Sequence, residues 1–318
     1  MKAAVLHALG KPPQFEEFPE PTPGEGEVII HVRAAALKPV DKQMASGSHY
    51  ASPRELPIVC GIDGVGTLDD GTRVFFGGPR RPHGAMAEST VLRRAQCFPV
   101  PDALADDIAA ALPNPGVSAW LTLKSRAKFA SGETVLILGA TGVTGKLAVQ
   151  IAKLLGAGRV VAAGRNEQVL STLHDLGADA TIQIDKRGQD LTEAFAREAG
   201  EQGFQVVIDY LWGHPTEALL AALTRSEFAA AKSETRLVQV GESAGAAISL
   251  RAAVLRSTPL TIAGTAGIPS LDILTEALKQ VMAHGANGKL RIDTERVPLA
   301  DIANAWQREQ RSRLVVIP

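Results

Sequence analysis

Residues 134–156, TVLILGATGVTGKLAVQIAKLLG, constrain what this chain can fold into more than any other stretch. The unbroken apolar run Val135 to Leu138 predicts a strand buried on both faces of a parallel sheet. Glycines follow at 139, 142 and 145. Leu147, Ile151, Leu154 and Leu155 then repeat at helical spacing up to Gly156, which is placed to end a helix. A strand, a glycine turn and a helix start gather unpaired backbone N–H groups and the positive end of a helix dipole at one point. A pyrophosphate binds there, provided no Cβ holds it away. Three glycines alone can serve a tight turn; it is their order between strand and helix that a dinucleotide site requires. Gly139, Thr141, Gly142, Val143, Thr144 and Gly145 are therefore the candidate phosphate-binding residues. Lys146 suggests a P-loop, but that motif needs glycine at 140 and Ser or Thr at 147, where this chain has Ala140 and Leu147.

The 318 residues leave room for about two domains. An apolar share of 45% with 21% charged residues describes a globular chain able to bury a large core. A net charge of −1 speaks against nucleic acid or an anionic membrane as partner. No apolar run approaches the length of a membrane span. The first residues, MKAAVLHALGKPP, lack a signal-peptide core and cleavage site, so a cytoplasmic location is expected. Cys60 and Cys97 are the two cysteines, each expected as a buried free thiol, and a four-cysteine zinc site cannot be built from them.

Taken in order, residues 2–9 read as a strand, 15–17 as the start of another, and Pro19 to Gly26 as a loop. Val28 to Ala36 is a strand with mixed faces, followed by Leu37-Lys-Pro-Val-Asp41 and a short helix-like piece ending at Ser46-Gly47. Short strands surround Gly61-Ile-Asp-Gly-Val-Gly66, residues 73–76 and residues 85–91. Frequent Gly and Pro between such runs suggest a partly open β-barrel. Residues 102–112 read as helix, Pro113-Asn-Pro-Gly116 as its break, and 117–127 as a second helix. From 134 onward strands and helices alternate to a last helix over 270–284, the doubly wound pattern of a parallel sheet. The tail has strand-like 290–292, helix-like 299–309 and a final strand at 314–317, while 227–235 reads as a solvated loop or helix end.

With these marks in view, the chain resembles the medium-chain dehydrogenase/reductase superfamily, in its zinc-free quinone oxidoreductase-like branch. The likeness rests on Lys38-Pro-Val-Asp41, Gly61-Ile-Asp-Gly-Val-Gly66, Gly84-Ala-Met-Ala-Glu88, Gly132-Glu-Thr-Val135, Gly142-Val-Thr-Gly145 with Ala148-Val-Gln-Ile-Ala-Lys153, and Gly164-Arg-Asn166, in that order. It departs at Lys38, where the family often has Asn, and at Ala140-Thr-Gly-Val-Thr-Gly145, where Ala-x-Gly-Gly-Val-Gly is common. The second departure resembles short-chain reductases, but those need a Tyr and a Lys four apart on one helix. Here Arg54 and His214 follow Tyr50 and Tyr210 at that spacing. The resemblance implies a GroES-like β-barrel catalytic domain over 1–117 and 287–318, with a Rossmann nucleotide-binding domain over 118–286 inserted in it. It also implies a homodimer through the segment Thr258 to Gly264, and it places Pro39, Ser118 and the loops after 209, 241 and 264, with Gly241 and Gly264, around a nicotinamide.

The second strand of the nucleotide block, 159–163, ends in Gly164-Arg165-Asn166 with no Asp or Glu to bind the ribose hydroxyls of NAD. The Arg165 guanidinium suits a 2′-phosphate instead, so NADPH is the expected cofactor, with Lys186 and Arg187 as possible additional charge. The zinc-dependent branch of the superfamily carries Gly-His-Glu where this chain has Gly61-Ile62-Asp63, so no metal is expected. Hydride transfer to a quinone or an α,β-unsaturated carbonyl suits such a site, because the acceptor spreads the arriving charge over its own conjugated system and positioning supplies much of the effect. Tyr50, Lys38, His49 and Asp41 are the candidates for orienting that acceptor or relaying a proton, and Asp41 also suits capping of the helix-like piece after it. A cofactor-binding sensor with little turnover is the alternative. Trp120, Trp212 and Trp306 read as packing residues.

Overall fold

A computed structural model describes residues 1–185, 189–224, 233–265, 267, 270–308 and 312–318. Lys186 and Arg187, residues 227–232 of the 227–235 stretch and the end of the expected 299–309 helix lie outside the described residues. Two compact units partition the chain: Met1–Asn114 with Leu278–Pro318, and Pro115–Ala277. The helices Pro113–Leu121 and Leu271–Ala286 each run through a boundary, which is why a change in sequence character locates those boundaries only approximately.

In the first unit, a sheet runs in the order Thr294–Pro298, Arg313–Ile317, Glu27–Ala36, Asp63–Thr67, Arg73–Gly77, Cys97–Pro99, with Ser89–Arg93 also paired to Glu27–Ala36. Strand Glu27–Ala36 thus pairs with three others, and its register shifts between Val32 and Ala34 in the pairing with Asp63–Thr67. Such a bulge lets one long strand bend and serve both sides of a barrel. A smaller sheet, Gln14–Glu17, Lys2–Leu6 and Ile58–Val59, stands beside it. The core between them is aliphatic with Phe76, Met86 and Trp306. Expected and observed elements differ in the tail: 290–292 is not a strand, and Thr294–Pro298 is. Val297 is the one buried residue of that strand, so the alternation that betrays a strand is nearly absent there.

The tail is held by a charge clamp. Asp107 on helix Asp106–Ala111 accepts hydrogen bonds from Arg296 Nε at 3.2 Å and Nη2 at 3.1 Å and from Thr294 Oγ1 at 3.1 Å. The Arg296 hydrogen bonds hold the Asp107 carboxyl below its usual range. A carboxyl lowered in the folded state stabilises above its ordinary pKa, and that stability is lost as pH falls through the folded value. Arg296→Ala is therefore expected to melt earlier than the wild type at pH 7, with the gap closing below the ordinary carboxylate range. Thermal scans between pH 7 and 2 check this; a gap independent of pH removes the clamp.

The second unit contains a six-stranded parallel sheet in the order Ala180–Gln183, Arg159–Gly164, Thr134–Leu138, Val206–Asp209, Thr235–Gln239, Leu260–Gly264. In sequence order that is 3-2-1-4-5-6, the doubly wound topology, with its reversal point beside the first strand. Its core packs Leu136, Leu138, Val161, Val207 and Leu237 against Phe195, Phe204 and Leu219. At the boundary between the units the first helix ends at Ala111, just before Pro113 as expected, but Pro113-Asn-Pro-Gly116 is not a loop: it opens the next helix, Pro113–Leu121, and the chain then takes a π turn over Thr122–Arg126. First-turn N–H groups have no intrahelical acceptor, so proline costs little at that position. A short helix, Ala252–Ser257, was not legible in the sequence. Among the described residues no helix is long and apolar enough to cross a membrane.

Candidate active site

In the second unit, strand Thr134–Leu138 runs into Gly139, at φ 87°, and helix Val143–Leu154 begins at Gly142. Gly145 sits where its helix crosses the turn: a Cβ there would lie 2.2 Å from the Gly139 carbonyl oxygen and 2.6 Å from Ala140 Cα. A Cβ on Gly142 would meet nothing closer than 3.5 Å, and Gly142 is exposed, so the space above the first turn is open. Thr141, Val143 and Thr144 are half-buried around it. The two glycines thus do different work, one admitting the helix and the other leaving room for a phosphate. Gly145→Ala is expected to destabilise the unit by about 1–3 kcal/mol, as overpacking does, and to abolish nucleotide binding. Denaturant melts and a nucleotide titration check this; normal binding by a stable variant refutes it.

Gly164 ends the neighbouring strand and packs its Cα against Thr141, where a Cβ would lie 2.4 Å from the threonine methyl. Arg165 follows, exposed, and Asn166 caps helix Glu167–Thr172 by accepting from Val169 N–H at 3.1 Å. Residues 159–166 include no Asp or Glu, and the first carboxylate after the strand is Glu167 at the start of that helix.

On the other side of the first strand, Asp209 ends strand Val206–Asp209 fully buried. It accepts from Leu211 N–H and Trp212 N–H, both at 2.8 Å, and from Thr216 Oγ1 at 2.6 Å. These bonds hold Trp212 at φ 55°, a left-handed conformation that costs a bulky residue on the order of 1–3 kcal/mol. Gly241 lies against the Tyr210 carbonyl, where a Cβ would be 2.8 Å away. Ser118 is half-buried on helix Pro113–Leu121, and Gly264 ends the edge strand in open space.

In the first unit, the turn after strand Glu27–Ala36 buries a charge cluster. Lys38 is 1% exposed, and its ammonium donates to Asp63 Oδ1 at 2.7 Å and to the Ala36 carbonyl at 2.8 Å, with Asp41 Oδ2 at 3.3 Å. Burial pulls the Lys38 pKa down, but Asp41 and Asp63 outweigh it and raise it, so the ammonium stays charged. Asp41 Oδ2 also accepts the Lys38 backbone N–H at 2.8 Å, at the start of helix Pro39–Ser46. Pro39 is the exposed first residue of that helix. Arg313, itself buried, donates to the Leu37 carbonyl at 3.0 Å and lends a second positive charge to the two aspartates. Lys38, expected to face the acceptor, is instead held inside by Asp63, a partner 25 residues away.

Asp41 lines a cavity of about 210 Å³ together with Met44, Cys60, Ile62, Arg81 and His83. Tyr50 does not line it: the residue is 98% exposed, its ring stacked on His49 with centroids 4.1 Å apart. Tyr50 instead borders a neighbouring groove, which shares Ile58 and Arg81 with the cavity. Arg313 and His83 were not singled out by sequence reasoning, and Cys60 and Asp63 entered it only as a buried thiol and as part of the segment that lacks a zinc ligand. One trace existed: Lys38 directly follows the apolar run Ala34-Ala35-Ala36-Leu37, where a charge calls for a partner.

A catalytic zinc needs three protein ligands and an open position. Burial, with the Asp41 charge added, pushes the Cys60 thiol up and keeps its proton on, and Asp63 is taken by the Lys38 ammonium. Among the described residues no three His, Cys, Asp or Glu side chains are grouped to hold a metal. The residues present do not fit that ion.

Two family profiles match the sequence: an alcohol dehydrogenase GroES-like domain over residues 24–102 and a zinc-binding dehydrogenase over 143–283. A probable NADPH-dependent quinone reductase of Emericella nidulans is 27% identical over the full length of both chains. A 2-methylene-furan-3-one reductase of Solanum lycopersicum is 33% identical over 54% of this chain and 48% of its own. A solved structure, the quinone oxidoreductase of Thermus thermophilus, described also in complex with NADPH, is 28% identical over all of both chains with a TM-score of 0.83.

Proposed function

The chain belongs to the medium-chain dehydrogenase/reductase superfamily, in its quinone oxidoreductase-like branch, and on that premise we propose that it is a zinc-independent enzyme passing a hydride from NADPH to a quinone or an α,β-unsaturated carbonyl. The observation that carries the cofactor is Arg165, an exposed guanidinium at the strand end where an NAD enzyme places an acid, in a segment, 159–166, with no Asp or Glu. The open turn over Gly142 and the N–H groups that begin helix Val143–Leu154 receive the pyrophosphate, and Arg165 grips the 2′-phosphate at two points.

Bound there, NADPH supplies the hydride. In the balanced reaction NADPH, a proton and a quinone give NADP⁺ and a hydroquinone; for an enone, hydride goes to the β carbon and the proton to the α carbon. The residues of the chain bind and orient. The acceptor occupies the cavity beside Asp41, where the Lys38 ammonium fixes the carboxylate by one oxygen, and Arg81 offers N–H donors to a carbonyl at the rim. Tyr50 borders the neighbouring groove rather than this cavity, so no contact with the acceptor is assigned to it. The relatives named above support this acceptor class, since a 2-methylene-furan-3-one is itself an α,β-unsaturated ketone.

Purified protein is expected to oxidise NADPH in the presence of small quinones or enones, with NADH a poor substitute. Loss of absorbance at the nicotinamide band measures it. Inertness toward every such acceptor, with NADPH still bound, favours the sensor reading. The edge strand Leu260–Gly264 is proposed to pair with its copy in a homodimer, and a monomeric mass in light scattering refutes that.

A further inference from the structure

Among the described residues two besides glycine have a positive φ, Lys128 at 48° and Trp212 at 55°. Lys128 follows the π turn Thr122–Arg126 and its cap Ala127, and a left-handed residue after a helical turn is an ordinary ending. Trp212 ends no helix. It stands three residues past strand Val206–Asp209 and before Gly213 at φ 64°, and a bulky side chain keeps such a conformation only where its surroundings force it.

They do force it here. Asp209 Oδ1 accepts from the Leu211 and Trp212 N–H groups, both at 2.8 Å, and Oδ2 accepts from Thr216 Oγ1 at 2.6 Å. The backbone is tied as well. The Asp209 carbonyl accepts from Val240 N–H at 2.8 Å and Gly241 N–H at 3.1 Å, the Tyr210 carbonyl from Ser243 Oγ at 3.0 Å, and the Leu211 carbonyl from Ala244 N–H at 2.8 Å. Asp209 is costly in its own right. It is fully buried, burial raises its pKa, and hydrogen bonds alone oppose that rise, with no cation joining them among the described residues. Glycine at 212 would adopt the same turn without a clamp. Two local costs at one turn point to a use for the turn itself.

Its place in the sheet says which use. The order 3-2-1-4-5-6 reverses between strands Thr134–Leu138 and Val206–Asp209, and a dinucleotide lies across the crevice at such a point. The two turns that flank the crevice touch: a Cβ on Gly139 would lie 3.1 Å from Leu211 Cδ2 and 3.2 Å from Tyr210 Cβ. With the pyrophosphate over Gly142 and the 2′-phosphate at Arg165, the adenosine half takes the side of strand Arg159–Gly164. The nicotinamide half then extends to the other side, over Tyr210–Gly213.

We propose that Asp209 is a positioning residue: by holding Trp212 left-handed, its carboxylate shapes the turn Tyr210–Gly213 into a fixed rest for the nicotinamide half of the coenzyme. The role rests on the NADPH reading above and on no particular acceptor.

Calorimetry with NADPH and with adenosine 2′,5′-bisphosphate, which lacks the nicotinamide half, separates the two ends of the site. The readout is the ratio of the two dissociation constants. Asp209→Ala strands two N–H groups and is expected to weaken NADPH about tenfold relative to the bisphosphate. Asp209→Asn is expected to stay within about threefold of the wild type, because its amide oxygen still accepts both N–H groups and Thr216 can turn to accept its NH2. Adding Trp212→Gly to Asp209→Ala is expected to recover about fivefold in the ratio, because glycine is left-handed without being held.

Equal weakening of both ligands by Asp209→Ala overturns the inference, since the carboxylate then holds the whole unit. Asp209→Asn as poor as Asp209→Ala overturns it too, because charge and not shape is then at work, and so does a double variant no better than Asp209→Ala. If Asp209→Ala does not fold, the nearly isosteric Thr216→Val is read by the same ratio: a loss of about threefold is expected, and an unchanged ratio overturns the inference. A wild type that binds neither ligand removes the NADPH reading and this role with it. A wild type that binds both, with the ratio unchanged in every variant, removes this role alone.

Discussion

Arg165→Ala is expected to weaken NADPH binding about 10- to 100-fold while leaving NADH binding unchanged. Charge-assisted hydrogen bonds contribute about 1.5–3 kcal/mol each, and solvent at this exposed strand end screens part of that. The loss should shrink at high salt, as it does for an exposed charge contact. Adenosine 2′,5′-bisphosphate, which carries the same phosphate without the nicotinamide half, should weaken by the same factor. Calorimetric titration of both ligands measures it. Equal losses for NADPH and NADH would mean that Arg165 holds the protein rather than the 2′-phosphate. An Arg165→Glu variant should go further and prefer NADH, since a carboxylate at that position accepts from ribose hydroxyls and repels the phosphate.

The second large effect lies in the barrel. Lys38→Met is expected to cost about 3–5 kcal/mol, because it leaves two buried aspartates with Arg313 as their remaining cation. Asp63→Leu is expected to cost a similar amount, because it leaves the buried Lys38 and Arg313 with Asp41 alone as their carboxylate. The double variant Lys38→Met/Asp63→Leu should be markedly more stable than either single one, since an ion pair replaced whole by apolar side chains of similar volume is often tolerated. The coupling measured in that cycle is the test. Additive losses in urea melts would show that the 2.7 Å contact carries no energy of its own. The double variant also separates stability from function. If it folds and fails to bind acceptors, the pair's role is to aim the Asp41 carboxylate.

Legibility followed the range of the interactions. The strand, glycine turn and helix over 134–156 were readable because every residue that makes the turn lies within a dozen positions of every other. The alternating block after them was readable because buried parallel strands are continuous apolar runs. Pro113-Asn-Pro-Gly116 misled, because proline's penalty depends on its place in a helix and the sequence does not print where a helix begins. The strand Thr294–Pro298 was missed because one inward side chain is too few for a period. At the candidate site, the glycine turn and Arg165 were proposed from local pattern, whereas the buried cluster and cavity that bring Asp63, Arg313 and His83 into play were not.

The amino-acid order alone determined the strand, glycine turn and helix of the second unit and the arginine at the next strand end, since glycine spacing and strand-end charge are short-range facts of geometry. It did not determine which polar groups meet. Lys38 reads as a free cation in the chain and becomes a buried half of an ion pair only when strands Glu27–Ala36 and Asp63–Thr67 lie side by side. Asp41 and His83 come to share a cavity across 42 residues for the same reason. Pairing of distant strands sets those neighbours, and no period or motif in the sequence encodes a contact whose two halves are chosen by separate parts of the fold.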